Sequence, residues 1–220
     1  MSDRQLFTEH LREKVGDQWE RVINHKFTNE LSDGTIDSNV LKRYLIQDHR
    51  FLDSFVVLLA SMVAKARCLS DRIPGCQFLA LITGRENTYF ERCFEKLGCA
   101  DPIERGTVPD ASCTTRFIKL MRDVSENGTL GEILSVLVVC EWSYLSWGSR
   151  VLGKTKRTRF ECFEWVDLHS GDTFEGVVQY LRGLLDKEGD LLDEEGRRAC
   201  ERRFVDAVSL EEAFFGSAYD

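Results

Sequence analysis

Proline is absent before residue 74 and again after residue 109; the chain's three prolines are Pro74, Pro102 and Pro109. A proline inside a helix removes a hydrogen bond and collides with the preceding turn, at a cost of about 3 kcal/mol. Two long tracts are therefore free to be helical. Within them apolar residues recur at three and four positions, the helical period, and no alternating run marks a hairpin. The expectation is an all-α, single-domain chain over residues 1–220, with about seven to nine helices.

The spacing predicts a first helix over residues 4–31, with Leu6, Phe7, Leu11, Val15, Trp19, Val22, Ile23 and Phe27 on one stripe and a turn at Ser32-Asp33-Gly34-Thr35. Asp37 or Ser38 caps a second helix reaching about Cys68. A third runs from about Pro74, placed in its first turn, to Leu97, with Gly98 just past its end. Residues 99–110 hold two prolines and Gly106 and read as an ordered loop. Asp110 or Ser112 opens a helix to about Val124, and Asn127-Gly128 is a turn. Residues 130–152 are the most apolar segment, and their length favours a buried helix over a strand. Further helices are expected over 157–167, 172–186, with Asp172 as its cap, and 194–218, while 187–193 reads as a surface turn.

Composition narrows the function. The net charge of −8 and the dispersed basic residues disfavour nucleic-acid binding. The short run Lys154, Lys156, Arg157 and Arg159 reads as a solvated loop. No uncharged apolar stretch of about 18 residues suggests a membrane span, and the polar start Met1-Ser2-Asp3-Arg4-Gln5 carries no signal-peptide core, so a soluble, cytoplasmic protein is expected. The eight cysteines form no CxxC pair and read as reduced, mostly small apolar residues. The four histidines form no Glu-x-x-His pair, so neither a metal nor another cofactor is expected.

Polar groups inside apolar helices are the candidates for chemistry. Cys140-Glu141 interrupts the run Val136-Leu137-Val138-Val139. A carboxylate there must face a cavity or pair with a basic side chain, because burying it alone is costly. Tyr144 lies one turn after Cys140 on the same face. On spacing alone Asp48, within Gln47-Asp48-His49-Arg50-Phe51, reads first as an exposed acid paired with Arg50 or Lys42. Likewise Glu211 and Glu212, before Phe214-Phe215, read first as exposed acids, and His169 as a loop histidine.

Taken in order, the Asp33-Gly34-Thr35 turn, Tyr44-Leu45-Ile46-Gln47-Asp48, the apolar helix around Cys140, Trp165-x(6)-Asp172-x-Phe174 and Glu211-x-x-Phe214-Phe215 resemble the TenA / thiaminase II family. The resemblance implies a haem-oxygenase-like helical bundle that hydrolyses aminopyrimidine fragments of thiamin and commonly assembles as a homodimer or homotetramer. It implies that Asp48 takes the pyrimidine amino group, Cys140 is the nucleophile, Tyr144 orients the site and Glu211 contacts the ring and transfers protons. Glu86, in Gly84-Arg85-Glu86-Asn87, matches a family glutamate on the third helix. Phe51, Phe117 and His169 stand where the bacterial pattern has ring-contacting tyrosines; phenylalanine keeps the stacking and loses the hydroxyl. A second branch of the family lacks the cysteine and carries a glutamate in the same helix, and Glu141 falls there. Both marks are present, so the resemblance leaves Cys140 and Glu141 as rival catalytic groups. The implied substrate is a small pyrimidine, deaminated to hydroxymethylpyrimidine and ammonia, with thiamin cleavage or deformylation of the N-formyl amine as accompanying activities. The alternatives are a non-catalytic pyrimidine-binding or regulatory relative, and a cofactor-free oxidase of the PqqC kind, for which this chain has few histidines.

Overall fold

A computed structural model describes residues 5–220. Every regular element among them is helical: α1 (Phe7–Lys14), α2 (Gly16–Ile23), α3 (Lys26–Asp33), α4 (Ser38–Lys65), α5 (Leu69–Leu81), a π-turn (Ile82–Glu86), α6 (Asn87–Lys96), α7 (Pro102–Thr107), α8 (Ser112–Asn127), α9 (Leu130–Leu152), α10 (Phe160–Leu168), α11 (Gly171–Leu191) and α12 (Glu194–Ser217). The all-α expectation holds; the count of seven to nine helices was low because several tracts are broken.

α9 is the axis of the bundle. α2, α3, α4, α8, α10, α11 and α12 all pack on it, and every side chain from Ile133 to Tyr144 is buried. Its length and hydropathy would also suit a membrane span, but most of that span is enclosed by the other helices. A capping box starts it: the Glu132 amide donates to Thr129 Oγ1 at 3.3 Å, and the Thr129 amide donates to Glu132 Oε2 at 2.9 Å.

The predicted first helix is three rods, and its start at Arg4 lies outside the described residues. The stripe from Phe7 to Leu31 is still buried, because the breaks at Val15 and at Asn24-His25 let it wrap around the core. Leu6, expected on that stripe, is instead exposed ahead of the first turn. The second break is stitched from α9: Arg150 Nε and Nη2 donate to the Ile23 carbonyl at 3.1 and 2.8 Å, satisfying an acceptor the helix end leaves open. The turn closing α3 is at Gly34, whose φ of 65° is the left-handed cap position that favours glycine.

Four other boundaries moved. The third helix begins at Leu69, with Pro74 inside it rather than at its start; the carbonyl that Pro74 leaves unpaired belongs to Ser70, which is exposed. Residues 102–107 of the expected loop are helical, because Asp101 caps the Ile103 amide at 2.8 Å and Pro102 takes the first position. The expected surface turn at 187–193 is mostly the end of α11, held by a salt bridge in which Arg67 grips the buried Glu188 carboxylate at 2.6 and 2.9 Å. Asp172 is in the first turn of α11 and does not cap it; Ser170 holds that position. The basic run after α9 is partly structural, since Arg159 donates to the Ile36 carbonyl at 2.6 Å and to Glu161 at 2.9 Å.

Candidate active site

On α4 the residues 48, 51, 52 and 55 follow the i, i+3, i+4, i+7 pattern that keeps them on one face. That face carries Asp48, Phe51, Leu52 and Phe55 into a cavity against α9, which supplies Cys140, Glu141 and Tyr144. The π-turn adds Ile82 and Glu86, and α10 with its C-cap adds Trp165 and His169. The space enclosed by these side chains is about 370 Å³ when the open solvent at its mouth is included, and the closed part is a narrow slot.

Asp48 is not the exposed acid its spacing suggested; it is 5% exposed. Its supposed partners are engaged elsewhere. Arg50 pairs with Asp110 at 2.6 Å and with the Arg105 and Val108 carbonyls, and Lys42 donates to the Gly98 carbonyl. The neighbouring Gln47 fixes the helix beside it, donating to the Pro109 carbonyl and accepting from the Ala111 amide, each at 3.0 Å. The Tyr44 hydroxyl lies near enough to ease the cost of charging Asp48, and Asp48 Oδ2 is buried with no hydrogen-bond partner. Burial raises its pKa to about 8, against the partial relief Tyr44 provides.

Glu211 is also buried, while Glu212 stays at the surface with Gln18 and Arg21. Glu211 is not among the side chains that line the cavity; it lies beside Cys140, close enough for each to affect the other's proton affinity. Burial pushes both groups well above their ordinary pKa values, and the Glu211 charge adds to the effect on Cys140. Glu141 faces the cavity rather than a basic partner; burial, then the charges of Glu86, Glu211 and Asp48, hold its pKa well above the usual carboxylate range. Glu86 is half-buried on the wall, and desolvation raises it to about 8. Tyr144 shares a 2.6 Å hydrogen bond with Tyr44. Tyr44 was not among the site residues expected from sequence, although it precedes Asp48 by one turn.

His169 is not a loop histidine but a buried one. Its Nδ1 is 2.9 Å from the Trp165 carbonyl, and burial lowers its pKa to about 4, so it is neutral near pH 7. It forms an edge contact with Trp165 at 4.2 Å between ring centroids. Phe117 does not reach the cavity surface; it backs Phe51 edge-on at 4.9 Å. Leu52, Phe55, Ile82 and Trp165 complete the apolar walls. Trp165 was legible as part of the motif before Asp172, whereas nothing in the sequence beyond Gly84 marked the turn that brings in Ile82.

A close backbone approach holds His169 in place. A Cβ on Gly148 would stand 2.2 Å from the His169 carbonyl oxygen, so Gly148→Ala must push α9 away from the end of α10. The expected cost is about 1–3 kcal/mol, read as a melting temperature lower by roughly 2–10 °C.

No group of three or more metal-ligating side chains with metal-site geometry occurs among the described residues. Nor does Asp48, Glu86, Glu141 or Glu211 form an ion pair among them. The chemistry available is therefore a thiol, several carboxyls held in their neutral form, and aromatic walls for a flat ring.

Comparison with known proteins places this arrangement. The family model TENA/THI-4/PQQC matches residues 12–220. An aminopyrimidine aminohydrolase of Halalkalibacterium halodurans is 24% identical over 216 residues, covering 97% of this chain and 96% of the relative. Among solved structures, a TenA homologue from Pyrococcus furiosus superposes with a TM-score of 0.86 at 21% identity, over 97% of this chain and 100% of that one. A TenA family transcription regulator from Silicibacter sp. TM1040 does so with a TM-score of 0.82 at 19% identity, over 96% of each chain.

Proposed function

Since the chain belongs to the TENA/THI-4/PQQC family, we propose that it is a hydrolase of thiamin metabolism, an aminopyrimidine aminohydrolase converting an aminomethylpyrimidine to hydroxymethylpyrimidine and ammonia. The observation that carries this reading is the buried Cys140 thiol on the wall of a slot, with the Glu211 carboxyl beside it and no counter-charge on the slot's other acids. Phe51, Phe55 and Trp165 offer flat apolar faces to a ring. Asp48, with an unpartnered oxygen, takes the ring's amino group.

Before substrate binds, the thiol is held protonated. A positively charged substrate reverses that, since an adjacent cation favours thiolate and carboxylate forms. Cys140 then gives its proton to an ionised Glu211 as the sulfur adds to the electron-poor ring. The carbon–nitrogen bond breaks and ammonia leaves, taking the proton from Glu211 as ammonium. Water adds at the exocyclic carbon, giving its proton to the freed Glu211 carboxylate, and the sulfur departs as thiolate, which Glu211 reprotonates. The balance is R–CH2–NH3+ plus water giving R–CH2–OH plus NH4+.

Ammonia release from aminomethylpyrimidine, with thiamin and the N-formyl amine run beside it, tests the reading. Release from the free amine is the expected result. Tight binding without release would instead assign a non-catalytic pyrimidine-binding protein.

Asp48→Asn should weaken binding of the pyrimidine by roughly 1–3 kcal/mol, because an acceptor aimed at an amino group becomes a donor. The same variant has a stability signature. Across about pH 4 to 8 the folded chain keeps a proton on Asp48 that the unfolded chain has lost, so this group's stabilising contribution falls as pH rises towards about 8. The asparagine variant lacks that loss, and its melting temperature relative to the wild type should rise between pH 5 and pH 8. An affinity unchanged by the substitution would return Asp48 to a structural role.

A further inference from the structure

We propose that Glu86 and Glu141 together seat the substrate's protonated amine, so that the site selects a free cationic aminomethyl group over a neutral N-formyl or hydroxyl counterpart. The inference rests on the aminopyrimidine reading above and assigns the part of the cavity that reading leaves unused. Glu211 is committed to the Cys140 thiol, and Asp48 to Tyr44 on one side and the ring edge on the other. Glu86 and Glu141 have neither ion-pair nor hydrogen-bond partners among the described side chains, yet both line the cavity.

Two different elements bring them together. Glu141 projects from the buried axis α9 and is 9% exposed. Glu86 ends the π-turn Ile82–Glu86, where five residues take the space of a wider coil between α5 and α6. Such a turn shifts the register of the helix after it and occurs frequently at functional sites. From it Ile82 and Glu86 reach the same cavity. Of the neighbouring carboxyls, Glu86 is the one whose charge most opposes ionisation of Glu141.

Two acids in one cavity without a counter-charge are costly to bury unless they stay protonated or a cation joins them. No lysine or arginine is among the described residues that line the wall. His169 is neutral, the other titratable groups of the wall are Asp48, Cys140 and Tyr144, and Glu211 lies behind it, so all are acids or neutral. Asp48 adds an independent sign that a polar ligand belongs here, with its unpartnered buried oxygen in the same cavity. A primary alkylamine is cationic at neutral pH, as the lysine side chain is. An acid pair sharing one proton presents a single negative charge to it, and hydrolysis to the alcohol removes the attraction, which favours product release.

The test uses steady-state kinetics on the full chain at neutral pH. Wild type should show a kcat/KM for the free amine at least about 10-fold above that for the N-formyl amine. Glu86→Gln and Glu141→Gln should each raise KM for the amine by about 10- to 100-fold, the effect of losing a hydrogen bond to a charged group. The inhibition constant of the neutral hydroxymethylpyrimidine should change by less than about 3-fold in both, and the preference over the N-formyl amine should collapse. Melting curves check that the isosteric variants fold. Equal losses for amine and alcohol, or a wild-type preference for the N-formyl substrate, would overturn the assignment while leaving the aminopyrimidine reading intact. A wild type that neither turns over these substrates nor binds the alcohol would remove that reading, and this inference with it.

Discussion

Cys140→Ser should lower kcat for ammonia release on the order of 10³-fold or more, with aminopyrimidine affinity largely kept. A serine hydroxyl at neutral pH is a far weaker nucleophile than a thiolate, and loss of a covalent nucleophile is among the largest single-residue effects in enzymes. The volume change is small and the site is rigid: Cys140 is 3% exposed, inside the helix on which the bundle is built. Thiol alkylation should be slow in the free enzyme, because burial and the nearby acids keep the group protonated. Bound pyrimidine should slow it further by covering the sulfur. The rival is Glu141 acting as in the cysteine-free branch. Adjacent helical residues point about 100° apart, yet the cavity is narrow enough that both reach it. A silent Cys140→Ser variant, with activity lost instead in Glu141→Gln through kcat, would move the chemistry to Glu141.

The second large effect is at Glu211. Glu211→Gln keeps the shape and removes the proton carrier from behind the thiol, so kcat should fall by about 10²- to 10⁴-fold, the usual range for general acid–base groups. The loss should appear in kcat more than in KM, because Glu211 sits in the layer behind Cys140 rather than on the cavity surface. The pH profile separates this from a structural effect. Wild-type activity depends on an acid whose pKa burial raises well above the usual range, so the ascending limb of the profile should flatten in the variant. An unaltered profile, with kcat merely scaled down, would make Glu211 a packing residue.

The helical class was legible because it depends on local period. The tract 130–152 reads as a buried helix from its own residues, and the structure makes it the axis on which seven helices pack. Caps were legible for the same reason: Asp37 accepts from the Asn39 and Val40 amides as its position implied, and Gly34 and Gly98 hold the positive-φ positions. Breaks were not. Where the first stripe bends depends on a carbonyl that Arg150 satisfies from more than 120 residues away, and no local pattern records that.

For the site, sequence by itself determined the set of polar residues planted in apolar helices, above all Cys140 and Glu141, because an acid in a run of valines is conspicuous without any structure. It did not determine their environment. Asp48, Glu211 and His169 all read locally as surface groups, since one turn of helix looks alike whether its polar face meets water or a cavity. Only the packing of α4, α9, α10 and α12 decided that these three are buried. The same packing left Asp48 Oδ2 unpartnered and, through the π-turn, brought Glu86 into the cavity that Glu141 lines. Desolvation and mutual charge are properties of that enclosure, and they turn ordinary acids into groups that hold protons at neutral pH.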